Sequence, residues 1–434
     1  MKELEIAKEI LKTDHLFLTG SSGTGKSYLT ARLIERYKND KKQVVVLGST
    51  GISAVNIGGQ TIHSFFAFGI CKNTEELLRY DKNKKRLKEL YGILSNTDLL
   101  IIDEISMVSA SLMEMIRYRL NASAFRGSIL FVGDFFQLPP IRKKDEFDGG
   151  SLFGDEIYAF ESSAWKSYNP KILELTTPKR TSDKRFFYIL NRVRKGEINE
   201  EVILFFENLR QNKAVMLLET TILFGRNYEV DKMNKERLGG IESELRILEA
   251  EFTLHEKSLS QNRIESWLKS LNVPLSLELK VGAYILFCVN KWGRYYNGER
   301  GIVRGIFDEY LLIEKGHELI KVERYEFALY ENILEGGEIK SKTLASIKQF
   351  PIKLAYAITI HKSQGMSIEN LICDINNIFE NSQFYVAVSR AVSAKNLYIM
   401  YSRDDFDAYL KRCVRTDDRV KEFYGNIKSI MIKN

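Results

Sequence analysis

Short apolar runs recur along the first part of the chain, each ending in a glycine or polar residue: HLFLT (15–19), QVVVLGS (43–49), TDLLIID (97–103) and SILFVGD (128–134). Runs of that length without strict alternation fit strands buried on both faces, as in a central parallel sheet. Between them the apolar positions move to helical spacing: Leu29, Leu33, Ile34 and Tyr37 share a face after Ser27. Strand–helix alternation predicts an α/β domain over 1–170, with helices on both faces of a parallel sheet. The stretch 66–88 breaks the rhythm, is lysine-rich and has no strand signal, so it reads as a small insertion.

A second alternation starts near Lys171. KILEL (171–175), TILFG (221–225), LAYAIT (354–359), NLICDI (370–375) and NLYIMY (396–401) are strand candidates, with helical stretches at 183–195, 381–391 and 403–413. This predicts a second α/β domain from 171–235 and 350–434, interrupted by 236–349. Short strands and glycine turns in the interruption, including Asn297-Gly298, predict a small inserted β-barrel.

The chemistry lies where the strands end. Residues 20–27 read GSSGTGKS, a phosphate-binding loop between a strand and a helix N-terminus. Gly20, Gly23 and Gly25 let the backbone turn its N–H groups inward, with Ser22 and Thr24 in the same cradle and Tyr28 just beyond it. Lys26 supplies a cation for the β- and γ-phosphates, and Ser27 a hydroxyl for Mg²⁺. About 75 residues on, Asp103 and Glu104 end the run LLIIDE. Asp103 is expected to hold the metal through its water shell and Glu104 to polarise the attacking water. Together these residues predict binding and hydrolysis of a nucleoside triphosphate.

Composition narrows this only slightly. The chain has 434 residues, 44% hydrophobic and 28% charged, an ordinary globular make-up. No apolar run approaches the ~18–20 residues needed to span a bilayer, and the charged start MKELEIAKEILK is no secretion signal. Cys71, Cys288, Cys373 and Cys413 are far apart, which fits buried thiols in a cytoplasmic protein rather than zinc ligands or disulfides. A net charge of +7 with 21 Tyr and 25 Phe permits nucleic-acid binding without requiring it.

Five further segments discriminate among phosphate-loop proteins: GSTGISAVNIGGQTIHSFF (48–66), GDFFQLPPI (133–141), LTTPKRT (175–181), LAYAITIHKSQGMS (354–367) and QFYVAVSRA (383–391). With IIDEISMV they resemble, in order and spacing, the motor motifs of the PIF (petite integration frequency) helicases, a RecD-like branch of helicase superfamily one. The resemblance runs from about residue 15 to 401, without the long extra domains of many eukaryotic relatives, as in a bacterial or phage-type member. It implies two RecA-like P-loop NTPase domains, an SH3-like inserted barrel, and a wedge at 66–88. It also implies ATP and Mg²⁺ as cofactors and 5′-to-3′ movement on single-stranded DNA, with forked or 5′-tailed duplexes as partners. A monomer in solution, associated with the nucleoid and acting in DNA repair, recombination or telomere maintenance, completes that expectation.

The resemblance assigns roles to matching residues. Gln137 senses the γ-phosphate, and Arg180 and Arg390 neutralise charge on the transferring phosphoryl group. Gln364 and Gly365 link nucleotide state to DNA grip. Thr50, Gly51, His63 and Ser64 hold the DNA backbone. His361, Lys362 and Ser363 contact DNA or nucleotide. Phe65 and Phe66 either stack on bases or pack in the core. The basic-aromatic cluster Lys291, Trp292, Arg294, Tyr295 and Tyr296 either binds single strands or packs on a neighbouring domain. Two departures stand out. The first glutamine is Gln43, so the upstream glutamine that reads adenine in relatives is missing, and Thr181 stands where relatives often carry glutamine. Two other functions stay open: an ATPase that remodels protein–DNA complexes without strand separation, and a DNA-independent P-loop switch or kinase.

Overall fold

The computed structural model describes residues 2–50, 59–69, 71–81, 84–140, 156–211, 219–291, 293–427 and 430–432. The chain forms two compact units. The first takes in 1–179, 331–342 and 417–434, the second 180–330 and 343–416.

The first unit is built on an all-parallel sheet. Its strands are β1 (Leu16–Gly20), β2 (Val44–Gly48), β3 (Gln60–Thr61), β4 (Leu99–Asp103), β5 (Ser128–Val132) and β6 (Lys171–Leu175), with a C-terminal strand Ile430–Ile432. The order is C-terminal strand, β6, β1, β5, β4, β2, β3. β1 and β4 are apolar almost throughout because layers cover both faces. On one face, helix α1 (Lys2–Ile10) and helix α2 (Lys26–Asn39) cover Leu16, Leu18, Leu99, Ile101 and Leu130. On the other, Phe17, Ile102, Phe131, Phe135 and Trp165 form an aromatic-rich core.

Three boundaries differ from the sequence expectation, the first being 331–342, expected within the insertion 236–349 but part of the first unit. KILEL (171–175) does not open the second domain: it pairs in parallel with β1, Leu16 opposite Lys171 through Gly20 opposite Leu175. Residues 417–434 likewise belong to the first unit, where helix Asp418–Asn426 packs Val420, Phe423 and Tyr424 onto the aromatic core. The stretch 66–88 is a loop running into helices Thr74–Tyr80 and Lys84–Ser95, with Phe66, Phe68, Cys71, Leu77, Leu90 and Leu94 all in the core.

The second unit has a four-stranded parallel sheet ordered Ala357–Thr359, Thr221–Phe224, Leu371–Asp374, Leu397–Met400. LAYAIT is divided: only its Ala357–Thr359 joins the parallel sheet, and its Leu354 ends the strand Ile352–Leu354, which pairs with Tyr284–Phe287. That pairing closes one side of a five-stranded antiparallel sheet, which continues through Arg300–Ile306, Tyr310–Lys315 and Glu318–Glu323. The four cysteines are buried free thiols. Among the described residues no helix is long and apolar enough to cross a membrane.

Candidate nucleotide and nucleic-acid sites

The phosphate loop leaves the C-terminal end of β1 and turns directly into α2. Three positive φ angles shape it, 142° at Gly20, 77° at Gly23 and 96° at Gly25. A side chain at Gly20 would run into the Leu175 carbonyl and Thr24, so the close approach of β6 also demands glycine there. Thr24 Oγ1 donates to the Ser21 carbonyl at 2.9 Å, pinning the loop from inside. Lys26 Nζ donates to the carbonyls of Gly20 (2.7 Å) and Ser21 (3.1 Å), which holds the ammonium over the loop. The first turn of α2 carries no acidic side chain, and Ser27 and Tyr28 stand exposed on it. A helix N-terminus of this kind attracts anions through its N–H groups and dipole. Ser22 is half-buried in the loop, and the Lys179 backbone N–H closes it by donating to Gly23 at 2.7 Å.

β5 lies between β1 and β4, so three chemical segments emerge at one edge of the sheet: the loop, the Asp103–Glu104 pair, and the turn from Gly133 to Gln137. Burial, and next the Glu104 carboxylate, push the Asp103 carboxyl up to about 7, while Lys26 opposes the rise. A half-buried carboxylate and an exposed hydroxyl are hard oxygen donors that suit Mg²⁺. Glu104 has φ 53° and ψ 50°, a left-handed conformation for a residue with a full side chain. Its backbone N–H donates to Asp103 Oδ1 at 2.9 Å, which fixes the Asp103 carboxylate. In the next turn Asp134 is fully buried; its carbonyl accepts from the Gln137 N–H at 2.8 Å and its carboxylate from the Phe136 N–H at 3.2 Å. Gln137 is itself buried.

In the second unit the two arginines converge. Arg180 donates from Nε to Ser367 Oγ (2.8 Å), from Nη1 to the Ser389 carbonyl (2.8 Å) and from Nη2 to the Gly365 carbonyl (3.3 Å). Arg390 is buried and donates to the Val386 carbonyl (2.9 Å) and Ser389 Oγ (2.8 Å). Burial, and then the charge of Arg390, push the Arg180 guanidinium down to about 9. Two cations brought this close favour an anionic ligand.

A model of the family described as PIF1-like helicase matches residues 4–203. An ATP-dependent DNA helicase Pif1 of Campylobacter jejuni is 44% identical over 430 residues, 96% of each chain. One of Bdellovibrio bacteriovorus is 32% identical over 435 residues, 98% of this chain and 91% of its own. The chain belongs to the PIF1-like helicase family. Among solved structures, Bacteroides Pif1 in complex with ADP-AlF4 is 28% identical, covers 98% of this chain and 96% of its own, and superposes with a TM-score of 0.83. A Bacteroides Pif1 bound to single-stranded DNA, 28% identical and covering 98% of this chain and 96% of its own, superposes at 0.67. Full-length matches of this kind, with the parallel sheets described above, fit two RecA-like domains.

The expected nucleic-acid residues of this PIF1-like helicase differ in their surroundings. His63 and Lys362 are exposed, and Thr50 and Ser64 half-buried. Phe65 and Phe66 are buried and meet edge to face at 5.1 Å, so as placed they are core rings rather than stacking platforms. Ser363 is fully buried and its hydroxyl donates to the Ile360 carbonyl at 2.7 Å, which turns it inward. His361 is half-buried with Nε2 3.1 Å from Glu380 Oε2. Gln364 is half-buried, and Gly365 is exposed with φ 80°. In the inserted sheet Tyr295 is buried against Phe287 at 4.2 Å. Tyr296 is 41% exposed and lines a cavity of about 660 Å³ with Arg300, Gly365 and Ser367. Gly51 and Trp292 lie outside the described residues. Sequence reasoning passed over Asp134, Thr19 and Tyr424; the only signal was that Asp134 opens the FFQ turn, and nothing marked Tyr424.

Proposed function

We propose that this chain uses ATP hydrolysis to move 5′ to 3′ along single-stranded DNA and to unwind 5′-tailed or forked duplexes. Its family makes it an ATP-dependent DNA helicase, an ATP-hydrolysing enzyme; the direction and the choice of structure are the proposal. The observation that carries the ATP-driven part is the edge of the first sheet, where the phosphate loop, the Asp103–Glu104 pair and the Gln137 turn emerge from three neighbouring strands; the direction rests on the resemblance of the motor motifs.

Phosphoryl transfer depends mostly on positioning and electrostatics. Gly20–Gly25 and the start of α2 bind the phosphates, and Lys26 neutralises charge that builds on them. Glu104 polarises the attacking water, and Gln137 reports the γ-phosphate. Ser27 and Asp103 would hold Mg²⁺, which supplies charge neutralisation on the phosphate oxygens when bound. Arg180 and Arg390 are the cations assigned to the charge on the transferring group. Thr50, His63, Lys362 and Tyr296, none of them buried, are the side chains assigned to the DNA strand, with the inserted sheet read as an SH3-like barrel. One solved Pif1 structure, at 27% identity and a TM-score of 0.66, concerns unwinding of forked duplex by two coordinating helicases. We assign forked DNA to this chain too, acting as a solution monomer in the nucleoid and serving repair, recombination or telomere maintenance.

The test is ATP turnover with and without single-stranded DNA, followed by unwinding of duplexes with a 5′ or a 3′ tail. DNA-stimulated turnover with unwinding of the 5′-tailed substrate is expected. Preference for the 3′ tail overturns the direction. Stimulated turnover with no unwinding of either favours a remodelling ATPase.

A further inference from the structure

One phenol hydroxyl joins two of the segments that handle ATP. Tyr424 OH is 2.8 Å from Thr19 Oγ1, on the residue directly before the phosphate loop. The same oxygen accepts the Phe135 N–H at 3.3 Å and lies 3.4 Å from Asp134 Oδ1. The Tyr424 hydroxyl gives its one proton to Asp134, so the bond to Thr19 runs from Thr19 Oγ1–H to the Tyr424 oxygen. Asp134 carries the connection onward, since its carbonyl accepts from the Gln137 N–H and its carboxylate from the Phe136 N–H. The Tyr424 ring stacks on Phe136, centroids 4.6 Å apart and planes 20° from parallel, which fixes where the hydroxyl points.

Nothing near residue 424 in sequence belongs to a motor motif. It reaches the site because the last stretch of chain returns to the first unit. Phe423 packs 4.3 Å from Phe160 and 5.5 Å from Phe135, and the strand Ile430–Ile432 pairs with β6 beside β1. A helix anchored on both sides holds Tyr424 with little freedom.

We propose that Tyr424 is a positioning residue for ATP hydrolysis, coupling the strand that carries the phosphate loop to the turn that carries Gln137. The inference rests on the reading of Gln137 as the γ-phosphate sensor. Hydrogen-bond chains in a low-dielectric interior reinforce one another, so removing the central hydroxyl loosens the Asp134–Gln137 turn, while the phosphate loop keeps the Thr24, Lys26 and Lys179 hydrogen bonds that hold it. The Tyr424 hydroxyl meets Thr19, the Phe135 N–H and Asp134, which places it behind the phosphate loop and the Gln137 turn as a support. Its loss therefore affects turnover through Gln137 and leaves ground-state binding of ATP nearly intact.

The experiment uses the full chain and measures DNA-stimulated ATP turnover for wild type, Tyr424→Phe, Gln137→Ala and the double variant. Tyr424→Phe keeps the stacked ring and removes only the hydroxyl. Its kcat is expected to fall about tenfold, the scale of one hydrogen bond to a charged group, with KM for ATP within about twofold of wild type. In the Gln137→Ala background the same change should cost nothing further, because its route of action is already gone. Equal slowing in both backgrounds, or a rise in KM matching the fall in kcat, shows a general structural role and overturns the inference. If Gln137→Ala is slow while Tyr424→Phe turns over normally, only the inference falls. If Gln137→Ala itself turns over normally, the sensor reading falls and takes the inference with it. Thr19→Val removes the other end of the chain with little change of shape. It should show the same dependence on Gln137 and serves in place of Tyr424→Phe if that variant folds poorly.

Discussion

Glu104 combines a left-handed backbone with the position assigned to the catalytic base. Such a conformation costs on the order of 1–3 kcal/mol and persists where the surroundings enforce it, commonly at active sites. Glu104→Gln should keep ATP binding and lower turnover by orders of magnitude, because the shape survives and the base does not. Glu104→Gly should be as inactive yet at least as stable as wild type in thermal unfolding, because glycine adopts that φ freely. A destabilised glycine variant would show that the backbone there is not strained. His15, directly before β1, carries a second residue-scale prediction. Its Nδ1 accepts the Ile129 N–H at 3.0 Å, and burial holds the imidazole below its ordinary value of 6.5, against a small opposing pull from Asp14. The unfolded chain then binds a proton that the native state refuses. Stability should be full above about pH 6.5 and decline as pH falls toward the depressed native value, by at most ~1.4 kcal/mol per pH unit. Denaturant titrations at pH 5.5 and 7.5 should show a smaller difference for His15→Gln than for wild type.

At the scale of elements, a buried cation helps tie the segment 66–95 to the core its apolar side chains join. Arg119, on the helix Ala110–Ala122, is fully buried. It donates to both oxygens of Asp81, at 2.5 and 2.6 Å, and from Nε to the Phe66 carbonyl at 3.2 Å. Removing one partner of a buried ion pair leaves an uncompensated charge, which costs about 3–5 kcal/mol. Asp81→Asn should therefore lower stability by roughly that amount in equilibrium denaturation, and a loss below ~1 kcal/mol would mean the pair holds nothing. The lysine-rich, strandless character of 66–88 was legible, and so was the periodicity that makes helices. Their burial was not, because Leu77, Leu90 and Leu94 mean nothing until a neighbour exists for them. Phe65 shows the same limit: the sequence left stacking and packing open, and only the core on which its helix lies decides for packing.

At the scale of the molecule, two arginines far apart in sequence share Ser389 and repel one another. If they serve the transferring phosphoryl group, Arg390→Ala should bind single-stranded DNA nearly as wild type and lose DNA-stimulated hydrolysis. The loss expected is about 10³-fold or more, on the arginine-finger scale. Strand-displacement assays should show no unwinding even where some turnover remains. Normal unwinding by this variant would remove Arg390 from the mechanism.

The sequence alone determined the local chemistry. The glycines of GSSGTGKS, the paired carboxylates of LLIIDE and the motif arginines are legible because each depends on residues within a few positions of one another. It also determined the alternation of strands and helices, since periodicity is a local property. Tertiary structure decided which sheet each strand joins. KILEL has the apolar pattern of any buried strand, and only its register against Leu16–Gly20 places it in the first unit. Tertiary structure likewise decided that the chain's last helix returns to the first unit and brings the Tyr424 hydroxyl to Thr19. A contact between residues 405 positions apart leaves no periodic or compositional trace, because it exists only once the core that both elements share has formed.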